Sequence, residues 1–207
     1  MGGWGVPRPD LYLSADVEAD GPVPGLYSMS SLGLVVAGRY DGAVLDRPRD
    51  PETFYRELRP VGDRFDPAAA AVSGLDRAVL AREGAEPADA MRDLVRWVDE
   101  LARRYDARPV FAAYPASFDW MFVYHYLIAY HGSSPFGFSG VLDLKTLYAA
   151  RSGAVFGQAT KRSMPRHLLS PRPHTHHALD DAREQADLLV NLLAYRPGLP
   201  PLTVREV

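Results

Sequence analysis

Apolar and polar residues alternate from Asp10 to Glu18, with Leu11, Leu13, Ala15 and Val17 on one side and Tyr12, Ser14, Asp16 and Glu18 on the other. A period of two predicts a strand. This one ends with two carboxylates on the same face. A turn-rich loop, Asp20 to Gly25, separates it from a second strand over Ser30–Tyr40, in which Leu32, Leu34 and Val36 share a face. Asp41-Gly42 then stands between this run and Ala43–Leu45. An Asp-Gly pair flanked by apolar runs is a two-residue hairpin signal. The first three strands are therefore predicted to form an antiparallel meander.

Residues 46–66 are polar and broken by prolines, with a short strand expected over Thr53–Leu58. Pro67 opens a short helix over 68–72 that Gly74 ends. A clearer helix starts at Pro87, where Met91, Leu94, Val95, Val98, Leu101 and Ala102 follow helical spacing and the charged residues take the opposite face. Pro109–Ala113 reads as a buried strand. The next helix runs to about Tyr130 with Ser117 as its N-cap, and is apolar nearly all round, which predicts burial. Val141–Leu144 reads as a strand and 145–150 as a short helix. The stretch 151–175 is mostly loop. A last helix spans about Ala178–Tyr195 with Leu179, Ala182, Ala186, Leu189 and Leu193 as its apolar stripe. No internal repeat is visible. Strands alternating with helices late in the chain predict an α/β domain with a mixed sheet over 10–195, preceded by a lead-in (1–9) and followed by a Pro-rich tail (196–207).

Composition narrows the function classes. The length of 207 residues fits one domain with an ample core. No cysteine is present, so disulfides and thiolate metal sites are excluded, and a reducing cytoplasm is the expected location. The N-terminal residues hold no apolar signal core, and Val6 breaks the myristoylation pattern. Pro115, Asp119 and His125 interrupt the longest apolar stretch, Val110 to Tyr130, so no membrane span is expected. The net charge of −3 supplies no global attraction to nucleic acid. Lys145 and Lys161 are the only lysines beside many arginines, a bias that GC-rich coding explains as well as phosphate binding does.

The chemistry lies in three acidic segments. Asp16 and Glu18, pointing the same way from an apolar strand, repel each other, and burial sharpens the repulsion. A divalent cation is the simplest compensation; read alone, the pair is a common pattern of solvated residues at a strand end. Asp119, in Phe118-Asp119, falls in a first helical turn, where the macrodipole favours a carboxylate without any further role. In His176-His-Ala-Leu-Asp-Asp181, His176 belongs to the loop before the last helix. Asp181 shares a face with Gln185 and Leu188, and so points toward the body of the protein.

With Asp16-x-Glu18, Phe118-Asp119 and His176-x-x-x-x-Asp181 in this order, the sequence resembles the DEDDh exonucleases of the ribonuclease H-like superfamily, over roughly residues 10–195. The resemblance implies a mixed central sheet flanked by helices, with the acidic first strand in the middle. It implies that Asp16, Glu18, Asp119 and Asp181 hold two divalent cations, Mg²⁺ or Mn²⁺, and that His176 is the general base. It further implies 3′-5′ release of nucleoside 5′-monophosphates from single-stranded RNA or DNA, with a lean to RNA. Hard carboxylate ligands suit these cations. Two metals lower the pKa of an attacking water and offset charge on the leaving oxygen. A histidine titrating near neutrality takes the water's proton.

Three positions depart from the family pattern. Ala19-Asp20 replaces a hydroxyl-bearing pair in the loop that approaches the terminal nucleotide, and Pro115 replaces an Asn four residues before Asp119. Ala19, Asp20, Leu26, Met29, Lys161 and Arg162 are the candidate substrate contacts, with Leu26 or Met29 wedging a terminal base; Lys161, Arg162, Arg166 and Arg172, ahead of the last motif, either guide the phosphate backbone or form an arginine-rich solvated loop. Three competitors stand beside this reading: an inactive nucleic-acid-binding or scaffolding module, an endonuclease of the same superfamily, and a transition-metal site at His174, His176 and His177. The family often forms homodimers, and no surface pattern here decides that.

Overall fold

A computed structural model describes residues 8–207, so the lead-in expected over 1–9 lies outside the described residues except for Arg8 and Pro9. The sheet contains β1 (Asp10–Ala19), β2 (Met29–Tyr40), β3 (Val44–Arg47), β4 (Thr53–Glu57), β5 (Arg108–Ala113), β6 (Val141–Asp143) and β7 (Thr203–Glu206). The helices are α1 (Pro67–Ser73), α2 (Arg77–Glu83), α3 (Pro87–Arg104), α4 (Ala116–Tyr130), α5 (Leu144–Ser152) and α6 (Ala178–Ala194). Strand order is β6-β5-β1-β2-β3-β7. β1, β2 and β3 form the antiparallel meander that the Asp41-Gly42 turn predicts, while β5 pairs parallel to β1 and β6 parallel to β5. The long β2 shares its outer edge. Its end at Arg39 and Tyr40 pairs with β3, and Ser31–Val35 pair with β4.

The alternation in β1 sorts the core into two layers. Leu11, Leu13, Ala15 and Val17 pack with α3 and α4, and Tyr12 packs on the other side with α5 and α6. The α3 stripe is wholly buried at Met91, Leu94, Val98 and Leu101. Burying each such side chain stabilises by about 1.5–3 kcal/mol.

Several expectations change. α4 begins at Ala116 with Pro115 in the N-cap position, so Ser117 is not the cap. Asp143 at the end of β6 takes over that work, accepting from Ala116 N at 2.7 Å while also capping α5 through Thr146 N at 2.6 Å. One aspartate thereby ties two helix starts to one strand end. α4 is also not buried all round, since Ile128 is exposed beside His125 and Tyr124. α2 had no predicted counterpart. In the stretch read as a tail, residues 203–206 form β7, parallel to β3. Among the described residues no helix is long and apolar enough to cross a membrane.

Candidate active site

β1 is the central strand, and Asp16 and Glu18 leave it on the α6 side. Gly33 of β2 lies opposite Asp16. A Cβ on Gly33 would stand 2.5 Å from the backbone of Ala178. Glycine there lets the first turn of α6 rest directly on the sheet, and that contact brings Asp181 to β1. One oxygen each from Asp16, Glu18 and Asp181 then lie within 4.8 Å of one another.

Each carboxylate is anchored differently. Gln185, one turn beyond Asp181, donates from Nε2 to Asp16 Oδ1 at 2.7 Å and accepts from Tyr114 N at 2.6 Å. Asp119, buried in the first turn of α4, accepts from Val17 N at 3.0 Å. Asp181 is fully buried and accepts from Thr175 N and His176 N, both at 2.8 Å. Those two bonds hold the loop before α6, in which His176 has a positive φ of 58° and an exposed ring.

Electrostatically the cluster is frustrated without cations. Burial, with Asp119, Glu18 and Asp181 adding repulsion, raises the Asp16 pKa well above the carboxylate range. Burial, then Asp181 and Asp119, push Glu18 up to about 8. Burial pushes Asp119 up to about 7 against the Val17 hydrogen bond. Lys161 is the cation whose charge opposes the rise at Asp16 and Asp119, and its ammonium is engaged by Glu184. Buried carboxylates this close need compensating charge. An all-oxygen donor set fits Mg²⁺ or Mn²⁺.

Not all predicted site residues meet here. Ala19 lies beside Glu18 and, with Gly21, Pro22, Ala69, Val72 and Phe118, borders a largely apolar cavity of about 320 Å³. Asp20 turns inward instead. It is buried, accepts from Ser28 N at 2.5 Å and stands 3.3 Å from Arg77, so it braces the loop between β1 and β2. Met29 opens β2 with its side chain buried in the core, where no base can reach it, whereas Leu26 is exposed on the loop. Lys161 lies close to the carboxylates over the Tyr114 ring, and Arg162 is exposed beside it. His174 stands 3.0 Å from Asp181, so His174, His176 and Asp181 also converge within 4.8 Å. His177 is separate: its ring stacks on Tyr55 of β4 at 4.8 Å. Sequence reasoning missed Gln185, Glu184 and Tyr55 as parts of the site. The i+4 spacing of Gln185 from Asp181 was the one available signal.

Residues 72–193 match the family model described as the 3′-5′ exoribonuclease Rv2179c-like domain. The 3′-5′ DNA exonuclease Cap18 of Escherichia coli is 36% identical over 180 residues, which are 86% of this chain and 89% of that protein. The nuclease domain of 3′hExo, a DEDDh family member bound to rAMP, superposes with a TM-score of 0.61 at 13% identity, covering 91% of this chain and 93% of that one. Exonuclease I of E. coli in complex with a dA16 oligonucleotide gives a TM-score of 0.57 at 17% identity, covering 91% of this chain but 41% of that one. At such identities the structural likeness speaks for the fold, which is ribonuclease H-like, as the motif order implied. With the family model and the 36% identical relative beside it, the chain belongs to the 3′-5′ exoribonuclease Rv2179c-like family and is a 3′-5′ exonuclease, carrying its acidic residues in the order of the DEDDh exonucleases.

Proposed function

We propose that this chain hydrolyses the terminal phosphodiester of single-stranded 3′ ends, releasing nucleoside 5′-monophosphates, with Asp16, Glu18, Asp119 and Asp181 holding two divalent cations. The observation that supports it is the convergence of Asp16, Glu18 and Asp181, from opposite ends of the chain, within 4.8 Å, with Glu18 and Asp181 buried and Asp16 half-buried. When bound, such cations acidify a water and neutralise charge on the phosphate. The protein's own groups do the rest. Asp119, fixed by Val17 N, and Asp16, fixed by Gln185, keep their oxygens oriented without the cost of reorganisation. His176, exposed and with its backbone N–H bonded to Asp181, would accept the proton of the attacking water. His177 is spent on Tyr55 and is the poorer candidate for that role. The apolar cavity beside Glu18 and Ala19 suits the terminal base, with Phe118 available for stacking.

The sugar preference is decided by measurement. The family model is named for RNA and the E. coli relative for DNA, so the lean to RNA is one arm of the test. Matched 5′-labelled single-stranded RNA and DNA, given Mg²⁺ or Mn²⁺, should yield ladders shortening from the 3′ end. Asp16→Ala and His176→Ala should abolish them. Ladder-free degradation shared by wild type and both variants would sink the proposal. Cleavage of a circular strand would mark an endonuclease, and a calorimetric titration without cation uptake would mark a scaffolding module.

A further inference from the structure

A second cavity, polar and of about 270 Å³, lies on the far side of α6 from Asp16, between that helix and the segment joining β3 to β4. Its floor is the backbone and small side chains of Val35 to Ala37 and Ala186, and its walls carry four arginines, Arg47, Arg49, Arg172 and Arg183, against two carboxylates, Asp50 and Asp187. Arg47 and Arg172 converge on one carboxylate, Asp187, which also accepts from Ser170 Oγ at 2.6 Å. Two guanidiniums sharing a single anion retain unused donors, and the guanidinium fork matches phosphate oxygens. The other two arginines are held by surface pairs only, Arg183 to Asp180 and Arg49 to Glu206, of the kind worth little in water and readily exchanged. Pro48, Pro51, Pro171 and Pro173 flank the arginines in both loops and limit their backbone freedom.

Position adds to chemistry. Arg172 precedes His176 by four residues, and Arg183 follows Asp181 by two. From Asp181 to Asp187 the helix rises about 9 Å and turns to another face, so a strand reaching from the carboxylates to the cavity passes around the helix and meets it with a phosphate several nucleotides from the cleaved bond. The volume is below that of a typical small-ligand pocket, which suits a phosphate group better than a whole nucleotide. We infer that this cavity binds a phosphate, namely an internal phosphodiester of the strand whose 3′ end lies at the carboxylates. The choice of that source rests on the function proposed above; the phosphate chemistry does not.

The test compares a dinucleotide with a decanucleotide of the same 3′ sequence. In Arg172→Ala, Asp187 keeps Arg47 and Ser170, so the fold is retained and circular dichroism checks it. The preference for the longer substrate, read as the ratio of KM values, should fall about tenfold with the loss of one charge-assisted contact. The slope of log KM against log salt should shrink by about 0.7. Arg172→Lys should keep the salt slope and restore part of the length preference. Inorganic phosphate should compete with the decanucleotide on wild type and much less on Arg172→Ala. An equal loss on both substrates, or none on either, overturns the inference. Phosphate that binds the wild type without competing overturns the strand as its source. If wild type cleaves neither substrate, the exonuclease reading has failed on its own. Fluorescence anisotropy of the labelled decanucleotide in EDTA then decides the cavity, with undiminished binding by Arg172→Ala counting against it.

Discussion

Gln185 shows how much of this site depends on single side chains. It bridges Asp16 and the backbone of Tyr114, joining α6 to β1 and to the end of β5. Replacing it with Leu leaves a part-buried N–H unpaired and a carboxylate unsupported, at a cost of about 1–3 kcal/mol. For a chain of this size each kcal/mol is about 2–4 °C in Tm, which thermal unfolding would register. The carboxylates predict a pH effect of definite sign. Glu18, at about 8, and Asp119, at about 7, hold protons in the folded state at pH values where the unfolded chain has released them. The folded state binds more protons between about pH 4 and 8, so cation-free protein should lose stability as pH rises through that window. Denaturant midpoints in EDTA at pH 5.5 and pH 8 measure this, and a higher midpoint at pH 8 would contradict it. Glu18→Gln and Asp119→Asn should each flatten the dependence.

Elements set the site through one close contact. α6 reaches β1 because Gly33 has no side chain where Ala178 rests on β2. Gly33→Ala places a carbon 2.5 Å from backbone that has no flexible end to move. The first turn of α6 must then shift, and both Asp181 and the His176 loop shift with it. Displacements of this size cost catalysis more than stability, so kcat should drop by about a hundredfold while the protein stays folded. Steady-state kinetics beside circular dichroism would separate the two, and unchanged kcat would show that the contact does not position the site. The hydrophobic alternation of β1 and β2 made both strands readable, and α3 was readable from its stripe. The start of α4 was not. Its cap is Asp143, a residue distant in sequence, and no local pattern signals a cap supplied from another strand. α2 and β7 are short and largely exposed, so they carry little periodic signal.

With the carboxylates holding divalent cations as proposed, cation binding and folding are linked for the whole molecule. A ligand that binds only the native state raises stability with its concentration. Cations compete with the protons on Asp16, Glu18 and Asp119, so Mg²⁺ or Mn²⁺ should raise Tm more at pH 8 than at pH 5.5. A rise at saturating cation equal at both pH values, or absent, would argue against these carboxylates as the ligands. The same linkage predicts that Asp16→Ala is more stable than wild type without cation and gains less from adding it.

The sequence by itself determined the mixed α/β class, the meander, the identity of the acidic residues and their order along the chain, because these depend on local periodicity, turn chemistry and motif spacing. Only the tertiary structure decided that Asp20 and Met29 turn inward, that His177 is stacked on Tyr55 while His176 stays open, and that four arginines surround one cavity. Asp16 and Gln185 stand 169 residues apart. Which residues meet at that separation depends on sheet order and on a helix settling against one glycine, and pairwise spacing along a chain carries no record of either.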